Sequence, residues 1–176
     1  TNTSNDILDF RLQTFTQDAG GLDPFGGTDN FDATGVLFYM DHPTLGTPGV
    51  LDPADLQVTF LDEVPPDAVR TIFVVGNIPA GQPNGSIASG TLTAVAAVGG
   101  TAGTLGTDYT QTAGANTAGV DTVFNDGAGD LAGDTVRDGR HSDDDAYRVV
   151  TPTIVGLKTG IIISDPANGT TTPKAI

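Results

Sequence analysis

Apolar side chains recur at every second position over short stretches of this chain, and runs of Gly, Pro, Asn and Asp separate the stretches. A period of two places alternate side chains on opposite faces of an extended backbone, so the pattern predicts half-buried β-strands. Leu8, Phe10 and Leu12 share one face of the first. Phe15 falls out of phase with them, which predicts a bulge near Gln13 or Thr14, where one extra residue restores the phase. Residues 17–34 read as a turn-rich loop anchored by Phe25 and Phe31. Residues 35–41 (GVLFYMD) are apolar on both faces and predict a central strand. After a loop over 42–55, Leu56, Val58 and Phe60 mark a one-faced strand. Pro65 and Pro66 interrupt the chain before the next strand at 69–75 (VRTIFVV). Residues 77–85 form a Pro/Gly turn region, and 86–98 alternate again, with Leu92, Ala94, Ala96 and Val98 expected inward and Thr91 and Thr93 outward.

Beyond 98 the chain turns to Gly, Ala, Thr and Asp. The triplet Thr-Ala-Gly begins at 101, 112 and 117, an irregular spacing that marks biased composition and not a repeat. The reading is a surface excursion with a short strand at 122–124. Strand signals return at 147–150 and 153–163. No long window carries a 3.6-residue apolar stripe, and 53–56 could make a single helical turn. The expected fold is therefore all-β: an Ig-like β-sandwich with long Gly/Asp-rich loops, open to completion by a strand from a neighbouring chain. Its expected core is Phe10, Leu12, Val36, Phe38, Val58, Phe60, Ile72, Val74, Leu92 and Ala94. Residues 1–152 form the sandwich, with an excursion over 99–145. Residues 153–176 form a terminal strand and Pro/Gly tail that acts as linker or donor strand.

Composition sharpens this picture. The 176 residues suit one domain, and with 38% hydrophobic residues and no Trp they favour thin sheet layers over a thick helical core. The formal charge is −15, and every acid except Glu63 is Asp. Asp prefers turns and caps to helix interiors, so the acids belong to loops. A field of this sign repels phosphate, which argues against nucleic acid and anionic lipid as partners. No apolar run reaches the roughly 20 residues of a membrane helix, so no membrane insertion is expected. The absence of Cys removes disulfides, thiolate zinc sites and cysteine nucleophiles. A first residue of Thr and not Met leads us to expect a processed chain or a piece of a longer one.

Three segments carry a resemblance: TNTSND at 1–6, DEVPPDAVRTIFVVGNIPAG at 62–81 and ISDPANGTTTPKAI at 163–176. They resemble bacterial surface proteins built from conserved Ig-like repeats of unassigned function. The resemblance implies an Ig-like fold and an extracellular or cell-surface location, and it transfers no catalytic residues. In that pattern a β-strand precedes the first segment and another follows the last. Both are missing here, so the fold is expected to be completed by neighbours in a longer chain or by another molecule.

The densest acidic region, 121–145, contains Asp121, Asp126, Asp130, Asp134, Asp138, Asp143, Asp144 and Asp145. Calcium takes about six to eight oxygens, and Asp carboxylates with Gly-freed carbonyls supply them. Asp126, Asp130, Asp134, Asp138, Asp143, Asp144 and Asp145 are therefore the candidate calcium ligands. The spacing matches neither an EF-hand nor the nine-residue calcium repeat, and the alternative is a set of solvated acidic loops. Asp41, Asp52 and Asp55 bracket a second loop and could close it through an ion or act as plain turn and cap residues. His141, Ser142 and Asp143 are adjacent, and adjacent residues on a strand point apart, so they make no catalytic triad. We expect no enzyme. The leading expectation is a structural or adhesive component of an extracellular filament, matrix or surface layer that self-associates into a homopolymer by strand addition. The alternative is a calcium-dependent carbohydrate- or ligand-binding module that uses loops 17–34 and 121–145.

Overall fold

The computed structural model describes residues 1–114 and 118–151. The expected strand at 153–163 and the tail to 176 lie outside the described residues. Within them the chain is all-β, with ten strands: β1 Leu8–Leu12, β2 Thr16–Gln17, β3 Gly21–Leu22, β4 Thr28–Asp29, β5 Thr34–Met40, β6 Leu56–Val58, β7 Phe60–Val64, β8 Ile72–Asn77, β9 Ile87–Val98 and β10 Arg140–Arg148. They form two sheets in a sandwich-like arrangement. The larger has seven strands with β9 as its spine; the smaller has three, in the order β6-β5-β8.

β9 is paired along both edges. β10 runs antiparallel to it from Arg140 opposite Val95 to Arg148 opposite Ile87. On the other edge β1, β2 and β4 follow one another in tandem, with β1 and β2 antiparallel and β4 joined by one parallel bridge. The predicted bulge is present between β1 and β2. Leu12 lies opposite Ala94 but Thr16 lies opposite Thr91, so four steps on one strand match three on its partner. The extra residue returns Phe15 to the inner face, where it is buried with Leu8 and Leu12. Leu12 and Phe15 look across at Val36, Phe38 and Val58 of the smaller sheet over a gap of about 360 Å³. Two side chains bridge the sheets: Gln17 Nε2 donates to the Ala33 carbonyl at 2.6 Å and the Tyr147 hydroxyl to the Val74 carbonyl at 2.7 Å.

The expected single strand through Leu56, Val58 and Phe60 is two. The chain switches sheets at Thr59, so β6 pairs with β5 while β7 pairs with β1. No strand forms at 122–124 and no helical turn at 53–56. β8 begins at Ile72, leaving Val69 exposed, and β10 begins seven residues before the expected 147.

The core also differs from expectation. Of the ten expected positions only Leu12 is fully buried, and the other nine are half-buried. Leu8, Phe15, Ala33, Leu61, Val64, Ala88 and Ala97 complete the buried apolar set. Thr91 and Thr93, expected outward, are buried at 4% and 1% exposure, while Val98, expected inward, is 39% exposed. The reason is a second cover. Gly106 and Asp134 reach the outer face of the large sheet, where they bond to Asp9 and Ser142, and the same face carries Ser89, Thr91, Thr93 and Ala97 of β9. Gly106 permits the approach, since a Cβ there would collide with the Val98 carbonyl.

Gly90 carries the inner face in the same way. A Cβ on it would collide with the Thr16 carbonyl and the Phe15 ring. Gly90→Ala is expected to destabilise the protein by about 1–3 kcal/mol, the usual cost of overpacking. A urea unfolding midpoint equal to that of wild type would contradict this packing.

Candidate cation site and carboxylate latches

The acids are used locally, each to hold backbone. Asp9 lies within β1 between Leu8 and Phe10, on the face that Gly106 approaches, and is 0% exposed. Opposite it β7 bulges: Phe10 pairs with Leu61 and Leu8 with Val64, so Asp62 and Glu63 together face one residue. Glu63 sits in the left-handed region at φ 46°, which breaks the strand's alternation and lets consecutive carboxylates reach the same loop. Oxygens of Asp9, Asp62 and Glu63 lie within 4.8 Å of one another.

Three carboxylates this close repel, and backbone dipoles offset the repulsion. Asp9 Oδ1 accepts the Glu63 N–H at 2.9 Å and Oδ2 the Gly106 N–H at 2.9 Å. Glu63 Oε1 accepts the N–H groups of Gly100 and Thr101, and Asp62 accepts that of Gly103. Beside them on β1, Arg11 grips Asp108 through Nε, 3.0 Å from Oδ1, and through a terminal guanidinium nitrogen. The trio thus latches residues 100–106 onto the sheet. With hard oxygen donors and no nitrogen or sulfur ligand, it is also the donor set that suits calcium or magnesium.

The sequence-predicted ligands do not converge in this way. Among the described residues, Asp9, Asp62 and Glu63 are the one group of three or more potential ligand residues whose atoms meet. Asp126 accepts the Gly139 and Asp138 N–H groups, Asp130 that of Asp144, and Asp138 that of Thr135 together with Arg140 Nε. Asp134 takes the Ser142 hydroxyl at 2.5 Å, and its Oδ1 is buried with no hydrogen-bond partner among the described residues. Asp143, Asp144 and Asp145 are successive residues of β10 and alternate in direction. Asp144 accepts the Thr91 hydroxyl, while Asp143 and Asp145 accept the N–H of the residue that follows each.

The 42–55 loop closes on amides as well. Asp41 accepts the Gly49 N–H, Asp52 those of Thr47 and Ala54, and Asp55 those of His42 and Asp52. The Ala54 and Thr47 N–H groups hold the Asp52 carboxyl below its ordinary pKa. On β10, Ser142 is buried while His141 and Asp143 are exposed, as alternation requires, so no triad forms. A cleft of about 610 Å³ lies between Asp23, Phe25, Asn30, Asp145 and Arg148. No helix among the described residues is long and apolar enough to cross a membrane.

The trio escapes a reading of sequence because it needs the β1–β7 register and a non-glycine residue at positive φ. Two signals pointed to it: an Asp flanked by Leu8 and Phe10 inside a strand, and the chain's single Glu. No protein-family model matches this chain, and neither the curated proteins nor the solved structures contain a match.

Asp9→Ala is expected to cost roughly 2–6 kcal/mol, from about 1–3 kcal/mol for each of the two N–H groups left unpaired. Amide exchange should accelerate first at Glu63 and Gly106, and unchanged protection there would refute the latch. Asp108 gives a pH test. The hydrogen bond from Arg11 holds its carboxyl below the usual range, so its contribution is present above the unfolded pKa of about 3.9 and is lost as pH falls through the lower folded value. Both partners are about a third or more exposed, so the pair is worth at most about 1 kcal/mol. Asp108→Asn should therefore lower the melting temperature slightly near neutrality and match wild type at about pH 2. A variant that stays below wild type by the same margin at both pH values would exclude the linkage.

Proposed function

We propose that this chain is a non-catalytic structural subunit of an extracellular filament, matrix or surface layer, and that it builds by associating with further copies of itself. One observation carries the reading: among the described residues the smaller sheet ends in an edge strand with no strand beyond it, capped at one point, where the Tyr147 hydroxyl donates to the Val74 carbonyl. β8 reads Ile-Phe-Val-Val-Gly-Asn, with no charge and no proline, and among the described residues β5 is the one strand it pairs with. Edges of this kind add strands from other chains.

The other edges differ. Asp130 covers β10 by donating its N–H to the Ser142 carbonyl and accepting the Asp144 N–H. Asn2 Nδ2 donates to the Val64 carbonyl at the end of β7, and β6 is only three residues long. Leu37 and Tyr39 of β5 stand opposite Val75 and Phe73 of β8 in the row facing away from the large sheet, so an added strand would also extend an apolar surface. The likeness of the segments at 1–6, 62–81 and 163–176 to surface-protein repeats supports the location. The net charge of −15 supports a partner that is not nucleic acid.

Calcium is the ion we propose for the Asp9, Asp62 and Glu63 latch, where it would tighten the loop cover without taking part in chemistry. The 610 Å³ cleft favours a second reading, calcium-dependent carbohydrate binding. Phe25 is 65% exposed there and could stack on a sugar beside Asp145, Asn30 and Arg148.

Light scattering and electron microscopy of the purified chain, in millimolar calcium and in EDTA, test the leading reading. Polymers that grow with concentration are expected, together with a higher melting temperature in calcium. A chain that stays monomeric at high concentration in both buffers would end the assembly reading. Glycan binding abolished by EDTA in such a monomer would establish the second.

A further inference from the structure

The hydrogen-bond phase of β8 identifies which of its groups are open. The Asp41 N–H donates to the Thr71 carbonyl at 3.0 Å, and the register pairs Tyr39 with Phe73 and Leu37 with Val75. In an antiparallel ladder successive residues turn their main-chain groups alternately to one neighbour and the other. Thr71, Phe73 and Val75 therefore bond to β5, while Ile72 and Val74 turn their N–H and C=O groups away from it. Tyr147 agrees with this phase, because its hydroxyl reaches the Val74 carbonyl from the far side at 2.7 Å. Among the described residues no other hydrogen bond reaches that side of Ile72 or Val74.

We propose that the Ile72–Val74 side of β8 is the acceptor edge for residues 153–163 of a second copy of this chain, a placement that rests on the self-association reading above. The incoming segment, TIVGLKTGIII, has the composition of a strand, with Ile154, Leu157, Ile161 and Ile163 as apolar contacts. It carries one charge, the positive Lys158, in a protein of net charge −15, so the field of the neighbour attracts the donor and does not repel it. Tyr147 holds the Val74 carbonyl in the free subunit, and a donor N–H replaces its hydroxyl when the strand adds. Each copy has one acceptor and one donor, and the contact is heterologous, so addition continues from copy to copy.

Proline distinguishes the two sides of β8. Val74→Pro removes an N–H that faces away from β5, so the subunit keeps its own ladder and loses the acceptor. Ile72→Pro does the same one pair away and serves if the first variant does not fold. Phe73→Pro removes an N–H committed to β5 and should unfold the small sheet. Ile161→Pro disables the donor.

Folding is checked by circular dichroism and mass by light scattering, with the full chain throughout. Val74→Pro and Ile161→Pro are each expected to be folded monomers, and their equimolar mixture to stop at twice the monomer mass. Wild type that polymerises while folded Val74→Pro and Ile72→Pro polymerise equally well would overturn the acceptor assignment and leave self-association standing. Two folded variants that remain monomers when mixed would overturn the pairing of this donor with this edge. Wild type that never assembles would remove the underlying reading itself.

Discussion

The fold depends on one repeated interaction, an aspartate carboxylate accepting backbone N–H groups from a segment with no ladder of its own. A buried or half-buried amide without an acceptor costs about 1–3 kcal/mol, so a protein with this much irregular chain must find acceptors somewhere. Here Asp9, Asp29, Asp52, Asp55, Asp126 and Asp138 supply them, each accepting two backbone N–H groups. The side chain is short, so an Asp holds a loop close against its strand. Glu63, the one longer acid, is the residue that reaches across to Gly100 and Thr101.

This interaction explains why the acids look like a metal-binding composition and behave mostly as loop staples. An amide cradle and a calcium shell both want clustered carboxylate oxygens near glycine-rich backbone, and the sequence signals of the two coincide. What separates them is convergence. Along 121–145 the acids are spread over turns and alternate along β10. At Asp9, Asp62 and Glu63 a bulge brings three together.

Much of the fold was legible in the sequence because it rests on local phase. The misalignment of Phe15 with Leu12 located the bulge, and the two-faced run around Leu37 and Phe38 marked the central strand of its sheet. Other features needed partners distant in sequence. The segment from Arg140 to Arg148 carries three successive Asp residues, which disfavour strands, and it is a strand because nine residues of β9 pair with it. Thr91 and Thr93 alternate as outward residues would, yet both are buried. The acidic trio joins residue 9 to residues 62 and 63 through a register that no local pattern encodes.

The spine strand also sets the order in which the molecule can form. One edge of β9 is completed by residues 8–17 and the other by residues 140–148, on opposite sides of it in sequence. Closing these loops costs chain entropy before either pairing repays it, so contact order is high and folding is expected to be slow for a domain of this size. During synthesis the outer edge of β9 stays unpaired until Arg148 has been made, and the nascent chain must pass that interval with its central strand exposed.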